Sequence, residues 1–212
     1  MTGDFSRPAN LPPRGFEAFA STSDPALVNR MAHDTAAALL ARVRAHPDAA
    51  TVERLVSHAD EHGIDVIAEL WSHASPHSLP GALWRVYLMR SLITNDPEGM
   101  SFAFRRGAET LRTIDEVVAG AATPVGSVEI RDLADHILRG TFVGDFAVSL
   151  ERAAAFARVC STGFTSLADD ADGTDQVHPE KSEQFTRRAF RLSELAEALG
   201  ACARLWRRNA LD

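Results

Sequence analysis

The spacing of apolar residues limits the fold of this chain more than any other feature of its sequence. The clearest case is a run of apolar side chains separated alternately by four and three positions: Phe185, Ala189, Leu192, Ala196, Leu199, Ala203 and Trp206. Residues at these spacings lie on one face of an α-helix. The chain shows no convincing alternation of apolar and polar residues and no convincing hairpin signal, so the sequence predicts an all-α protein.

Residues that cap helices indicate where the predicted helices begin. Asp24-Pro25 and Asp96-Pro97 each place a capping aspartate before a proline, which is favoured at the first position of a helix. Capping and apolar spacing together predict about eight helices, near residues 24–46, 51–63, 65–73, 80–93, 96–118, 127–140, 145–161 and 179–206. We expect Gly107 to bend the fifth of these, Gly140 to end the sixth, and residues 169–178 to form an acidic loop.

The packing of these helices stays open at the level of sequence. Short connections favour either an orthogonal multihelical bundle or an irregular stack that resembles an α-solenoid. The chain has no internal repeat that matches the known helical repeats. Residues 1–23 are predicted to form an irregular N-terminal arm and residues 24–212 a single helical domain, because a chain of 212 residues can bury one sizeable core.

The predicted helix over residues 80–93 differs from the others because it has almost no polar face. Apolar residues surround it on every side, interrupted only by Arg85, Arg90 and Ser91. A helix that is apolar on all sides is typical of the centre of a domain. We therefore expect this helix to be central and to bury Leu88 and Leu92.

Composition and charge disfavour some classes of partner. The formal net charge of −7 argues against nucleic acid and against membrane surfaces, since both attract basic proteins. No segment is long and apolar enough to span a bilayer, and the N-terminal residues lack the apolar core of a signal peptide. Cys160 and Cys202 lie in helical patterns and read as reduced, buried thiols. We expect a cytoplasmic protein.

One short motif has the spacing of a zinc site. His58, Glu61 and His62 fit the pattern H-x-x-E-H, and this pentapeptide resembles the motif of the inverzincin metallopeptidases. That resemblance implies two histidine ligands and a glutamate base, but the family also uses a downstream glutamate and a larger α+β fold. Histidines near the end of a helix are also favoured by its negative pole. We therefore expect neither zinc nor another cofactor.

A loop before the apolar helix concentrates hydrogen-bond donors. Its candidate anion ligands are His73, Ser75, His77, Ser78, Gly81 and Arg85. Free amides at a helix start and a nearby guanidinium are suited to binding an anion. The alternative is structural: Ser78 caps the helix, Pro80 begins it, and Arg85 pairs with a carboxylate. We favour the alternative, because capping residues are expected at any helix start.

Two segments carry a resemblance to a known family. The stretch ELWSHASPHSLPGALWRVYLMRSLI over 69–93, with residues 128–150, resembles a helical family of high-GC Gram-positive bacteria. Members of this family are sometimes labelled as an RNA polymerase β subunit, but this chain is far too short for that subunit and lacks its β-rich character. The resemblance implies an all-α fold and supplies no catalytic residue.

Three functional hypotheses follow. The preferred one is a non-catalytic interaction or scaffold protein, in which grooves between helices or the long last helix bind another protein or a second copy. The second is a small enzyme or ligand-binding domain that uses the loop over residues 72–85, or a zinc hydrolase that uses His58, Glu61 and His62. A nucleic-acid regulator is disfavoured, because the arginines near the end of the chain are scattered around their helix.

Overall fold

The computed structural model of this protein describes residues 24–45, 70–111, 113–121, 125–174 and 179–212. Within these ranges the chain forms no strand, residues 70–72 are helical, and seven further helices follow the chain as α1 (Pro25–Ala45), α2 (Leu79–Asn95), α3 (Pro97–Thr110), α4 (Asp115–Ala119), α5 (Ser127–Val143), α6 (Phe146–Thr174) and α7 (Pro179–Arg207). The all-α prediction is confirmed. The helices pack as a multihelical bundle, and none of those described is long and apolar enough to cross a membrane.

Helix α6 is the centre of the bundle, and α7 packs along it in the antiparallel direction. The Ser161 hydroxyl donates to the Ala189 carbonyl at 2.7 Å, near the middle of both helices. Arg207 at the end of α7 pairs with Glu151 near the start of α6. Helices α2, α3, α4 and α5 also contact α6. The described core is therefore built around this one helix.

Two glycines let α3 and α6 touch backbone to backbone. A β-carbon at Gly163 would lie 1.8 Å from the carbonyl oxygen of Ala103, and one at Gly107 would lie 1.8 Å from the carbonyl oxygen of Val159. No side chain fits at either position, so the two helices approach more closely there than any larger residue allows. Gly107 lies inside α3, where its role is this contact.

Three predicted boundaries are wrong. The helix expected over 96–118 ends at Thr110, because Leu111 adopts an extended conformation, and α4 starts afresh at Asp115. Helix α5 continues past Gly140 to Val143. Helix α6 continues through the segment expected to be an acidic loop, as far as Thr174. Acidic side chains on an exposed helix face do not end a helix, and Asp170 there pairs with Arg106 at 2.7 Å.

Helix α2 is only partly central, which corrects the expectation for Leu88 and Leu92. Its buried face includes Val86, Met89 and Ile93, none of which is measurably exposed. Leu88 is half-buried, whereas Leu92 is 40% exposed. The predicted helices over 51–63 and most of 65–73 lie outside the described residues, as does the N-terminal arm over 1–23.

Arg90 instead occupies the core side of α2. Its guanidinium is buried, and Nε donates to Asp135 of α5 at 2.8 Å. A buried charge is tolerated only when it is paired in this way. Arg90, a charged residue of α2, is therefore buried in the bundle, while the apolar Leu92 of the same helix is exposed.

Candidate functional site

The start of α2 is capped from within the chain. Ser78 has the extended backbone of an N-cap, its hydroxyl donates to the Ser75 carbonyl at 2.7 Å, and the same oxygen accepts from the Gly81 amide at 3.2 Å. Pro80 has no amide hydrogen to offer. The amide of Leu79 donates to a backbone oxygen of Asp212, and that of Ala82 donates to the Ser78 carbonyl. The first-turn amides are thus already bonded within the chain.

Gly81 is required by the close approach of the preceding loop. A β-carbon at this position would lie 2.0 Å from the carbonyl oxygen of Ser75. The loop therefore folds back directly over the first turn of the helix. This packing brings Ser75, Ser78 and Gly81 together as the predicted cap, with their polar atoms turned toward one another.

Arg85 is half-buried one turn further along α2. Its Nη1 donates to the Gly81 carbonyl at 3.0 Å, which replaces the carboxylate partner expected from the sequence. Burial lowers the pKa of Arg85. The guanidinium lies close to Cys202 of α7, whose thiol donates to the Pro76 carbonyl at 3.2 Å. Burial raises the pKa of Cys202 to about 11, partly offset by the charge of Arg85, so this thiol stays protonated and unreactive at neutral pH.

The predicted ligand residues are divided between two cavities. His77 and Arg85 line the same groove, between α2 and α7. His73 lines a separate cavity with Val28 and Ala32 of α1. His58, Glu61 and His62 lie outside the described residues. Among the residues that are described, no cluster of three or more histidine, cysteine or acidic side chains has the arrangement of a metal site.

The groove that contains His77 and Arg85 has a volume of about 560 Å³, and we refer to it as the α2–α7 groove. One wall comes from the loop and α2, and the other comes from α7: Pro76, His77, Trp84, Arg85, Leu88 and Leu92 face Arg191, Glu194, Leu195, Glu197 and Ala198. Sequence reasoning placed Leu88 and Leu92 in the core and did not select any of the α7 residues.

The floor of the groove is apolar and its rim is charged. Trp84, Leu88 and Leu92 are spaced by four residues, so they form a continuous stripe along α2. Leu195 and Ala198 are buried beside this stripe, while the charged residues of α7 in the groove are exposed. An apolar patch with a polar rim is typical of surfaces that bind other molecules.

Two contacts fix the direction of the groove walls. Arg188 of α7 pairs with Asp96 beyond the end of α2 at 2.7 Å. Cys202, further along α7, bonds to Pro76 before the start of α2. The two helices therefore run antiparallel across the groove. Glu197 lies toward the Arg85 end, and Arg191 lies toward the Leu92 end.

The fold and the groove together define an all-α bundle with an open, apolar-floored channel between two helices. No protein-family model matches the chain, and no curated protein or solved structure shows significant similarity to it.

Proposed function

We propose that the protein is a non-catalytic interaction protein that receives a protein helix in the α2–α7 groove. The observation that carries this proposal is the apolar stripe of Trp84, Leu88 and Leu92, which the described chain leaves partly uncovered. Residues four apart on one helix are the anchors by which amphipathic helices recognise each other. Large apolar side chains grouped on a surface mark interaction sites more often than isolated ones do.

Two polar groups beside the groove, Cys202 and Ser78, are engaged in contacts within the chain. A nucleophile or general base needs a group that is free to react and has a pKa near neutrality. The thiol of Cys202 has a pKa of about 11 and bonds to Pro76. The Ser78 hydroxyl both donates and accepts within the cap. These side chains stabilise the loop and helix that form the groove wall.

Site-specific crosslinking in living cells tests this function. A photoreactive residue in place of Leu92 should form a covalent adduct with a protein, whereas the same residue in place of Ile114 should not. Ile114 is a matched control, because it is 74% exposed and lies at the N-cap of α4, outside the groove. Adduct formation should also disappear when Leu88 is replaced by glutamate in a protein that stays folded. Equal labelling from both sites, or none, would contradict the proposal.

A second candidate is the anion site, favoured by the presence of His77 and Arg85 in one groove beside Trp84. With the first-turn amides bonded internally, these two side chains are the predicted ligands that line the groove and supply donors for a phosphate or carboxylate. If this function is correct, anionic metabolites raise the melting temperature, and Arg85→Met abolishes the effect. A melting temperature unaffected by a panel of such anions rules it out.

A further inference from the structure

We propose that the α2–α7 groove receives an amphipathic helix of a basic protein partner. The apolar residues of that helix lie on Trp84, Leu88 and Leu92, and its flank toward α7 carries Lys or Arg on two consecutive turns. This inference rests on the proposed function and names the chemistry of the partner. That chemistry follows from the position of the charges along the α7 wall.

The α7 wall presents two carboxylates beside the apolar stripe. The two contacts that fix the direction of the groove walls also fix the register of α2 and α7. Glu194 lies level with Leu88, because both are near the midpoint between those contacts. Glu197 lies one helical turn nearer the Trp84 end. A helix that lies on the stripe therefore has a carboxylate beside it on two consecutive turns.

Both carboxylates are available to a partner. The side chains of Glu194 and Glu197 are exposed, and within the described part of the chain neither has an ion pair or hydrogen bond with another side chain. His77 and Arg85 belong to the opposite wall. The Arg85 guanidinium is half-buried and donates to the Gly81 carbonyl, so it is turned away from α7. The α7 side of the groove is thus acidic over this half of its length.

These carboxylates favour cationic side chains on the partner. Opposite charges at the rim of an interface steer association, whereas like charges placed together suppress wrong partners. The formal charge of −7 on the whole chain acts in the same direction, because it attracts basic proteins and repels acidic ones. The same charge opposes association with a second copy of the chain. A basic helix is therefore the occupant that the charges favour.

The apolar stripe sets the length of the partner helix. Trp84 and Leu92 are eight residues apart and span about 12 Å along α2. A helix of three turns covers this distance with apolar anchors at positions i, i+4 and i+7. Arg191 is exposed at the Leu92 end of the α7 wall, so the turn that lies there is acidic or neutral. The basic residues occupy the other two turns.

A phage-displayed library of helical peptides tests this chemistry. The peptides keep apolar anchors at positions i, i+4 and i+7 and vary the flanking positions among Lys, Glu, Gln and Ser. Selection against the full chain should enrich Lys over Glu on two consecutive turns of one flank. The enriched peptide should bind about tenfold more tightly than the same peptide with Glu in place of these lysines, as measured by fluorescence anisotropy. This difference should shrink at high salt.

Charge reversal on α7 tests whether the groove is the binding site. In the variant E194R/E197R the preference should invert, so that the Glu-bearing peptide binds more tightly. The matched control E109R/E116R changes the net charge by the same amount at exposed positions outside the groove, and it should keep the wild-type preference. Leu88→Glu should abolish binding of both peptides. Circular dichroism verifies that each variant is folded.

The failure of this inference is distinguishable from the failure of the proposed function. Enrichment of acidic flanks, enrichment of no flank, or an unchanged preference in E194R/E197R overturns the basic partner. If Leu92 still forms an adduct with another protein in cells, the interaction function stands and only the chemistry of its partner is wrong. If no adduct forms at Leu92 either, both are overturned.

Crosslinking of the purified full chain tests whether the protein fills its own groove. The photoreactive residue at position 92 should give no major product in the absence of a partner. An adduct between two chains, recognised by its doubled mass, would make a second copy the occupant. An adduct within one chain, located by peptide mass mapping, would make a segment of the same chain the occupant. Either product in high yield overturns the inference.

Discussion

Helices α2 and α6 are both rich in apolar residues, but their apolar side chains differ in size. The segment that forms α2 carries large apolar residues on every side, whereas α6 is rich in alanine. Yet α6 has the most extensive packing of the described helices, above all against α7 and α3, whereas α2 packs less extensively on its neighbours. Hydrophobicity alone therefore does not identify the central helix.

The difference follows from how closely helices can approach. Small residues let neighbouring backbones come near on several sides, so an alanine-rich helix can be surrounded by partners. Gly163 shows this directly, since its backbone meets the Ala103 carbonyl of α3. Large side chains keep neighbours at a distance and need complementary partners on each side. Helix α2 has such partners on one face, and its other face forms the floor of the groove.

The largest effect is expected from a cavity in the interior of α6. Phe156→Ala should lower the free energy of unfolding by about 3–5 kcal/mol, because the ring is fully buried and its removal leaves space that the bundle cannot refill. Its ring stacks on Phe104 of α3 at 5.5 Å between centroids. Urea denaturation measures the change. Phe190→Ala on α7 is the control, and a similar loss there would show that α6 is not special.

A single methyl group at the closest helix contact should have the next largest effect. Gly163→Ala should cost about 1–3 kcal/mol, because the added carbon collides with a backbone oxygen that cannot move alone. Gly200→Ala on α7 is the matched control: its new carbon would meet only the flexible side chain of Arg204, at 3.5 Å. This control should be neutral or stabilising by up to about 1 kcal/mol. Thermal melting that ranks the two variants in the opposite order would refute close packing of α3 and α6.

A smaller effect is expected on the open face of α2. Leu92→Ala should cost less than about 1 kcal/mol, since the side chain is already partly in water. Met89→Ala on the buried face of the same helix should cost about 2–5 kcal/mol. Denaturant titration at low protein concentration compares the two. Equal costs would mean that both faces of α2 are packed alike and that the groove does not exist in solution.

Local signals predicted much of this fold, while contacts between distant residues could not be predicted. The cap at Ser78 and the start of α3 after Asp96 depend on neighbouring residues, and both are present. Gly140 was expected to end its helix because glycine often does so. In the bundle, a β-carbon at Gly140 would collide with the side chain of Ser149 of α6. Gly140 therefore serves the contact between α5 and α6, and α5 continues past it to Val143.

The α2–α7 groove could not be predicted from the sequence, because it too depends on contacts between residues that are far apart in the chain. The pairing of Arg90 with Asp135 turns one face of α2 toward α5, and this pairing joins residues 45 positions apart. Nothing in the local pattern says which side of an all-apolar helix will face water. A signal was nevertheless available, because an arginine inside an apolar run requires a partner and so marks a buried face when a carboxylate can reach it.

The smallest predicted effect concerns the polar edge of α6, where Arg158 holds α4. Arg158 Nε donates to Asp115 at 3.0 Å. This hydrogen bond, with one from Thr113, lowers the pKa of Asp115 below its ordinary value of 3.8. Because the folded-state pKa is depressed, the stabilisation is present above the unfolded pKa and is lost as the pH falls through the folded value.

Asp115→Asn should therefore reduce stability near neutral pH and lose its effect in acid. The cost at pH 7 should stay below about 1 kcal/mol, because the Arg158 side chain is 45% exposed and water screens the pair. Denaturant titrations between pH 2 and pH 7 should show the wild-type and variant curves converging below the ordinary pKa of aspartate. Glu116→Gln removes a neighbouring charge on α4 and serves as the control. A difference between wild type and Asp115→Asn that persists unchanged in acid would show that Asp115 stabilises α4 by packing rather than by its charge.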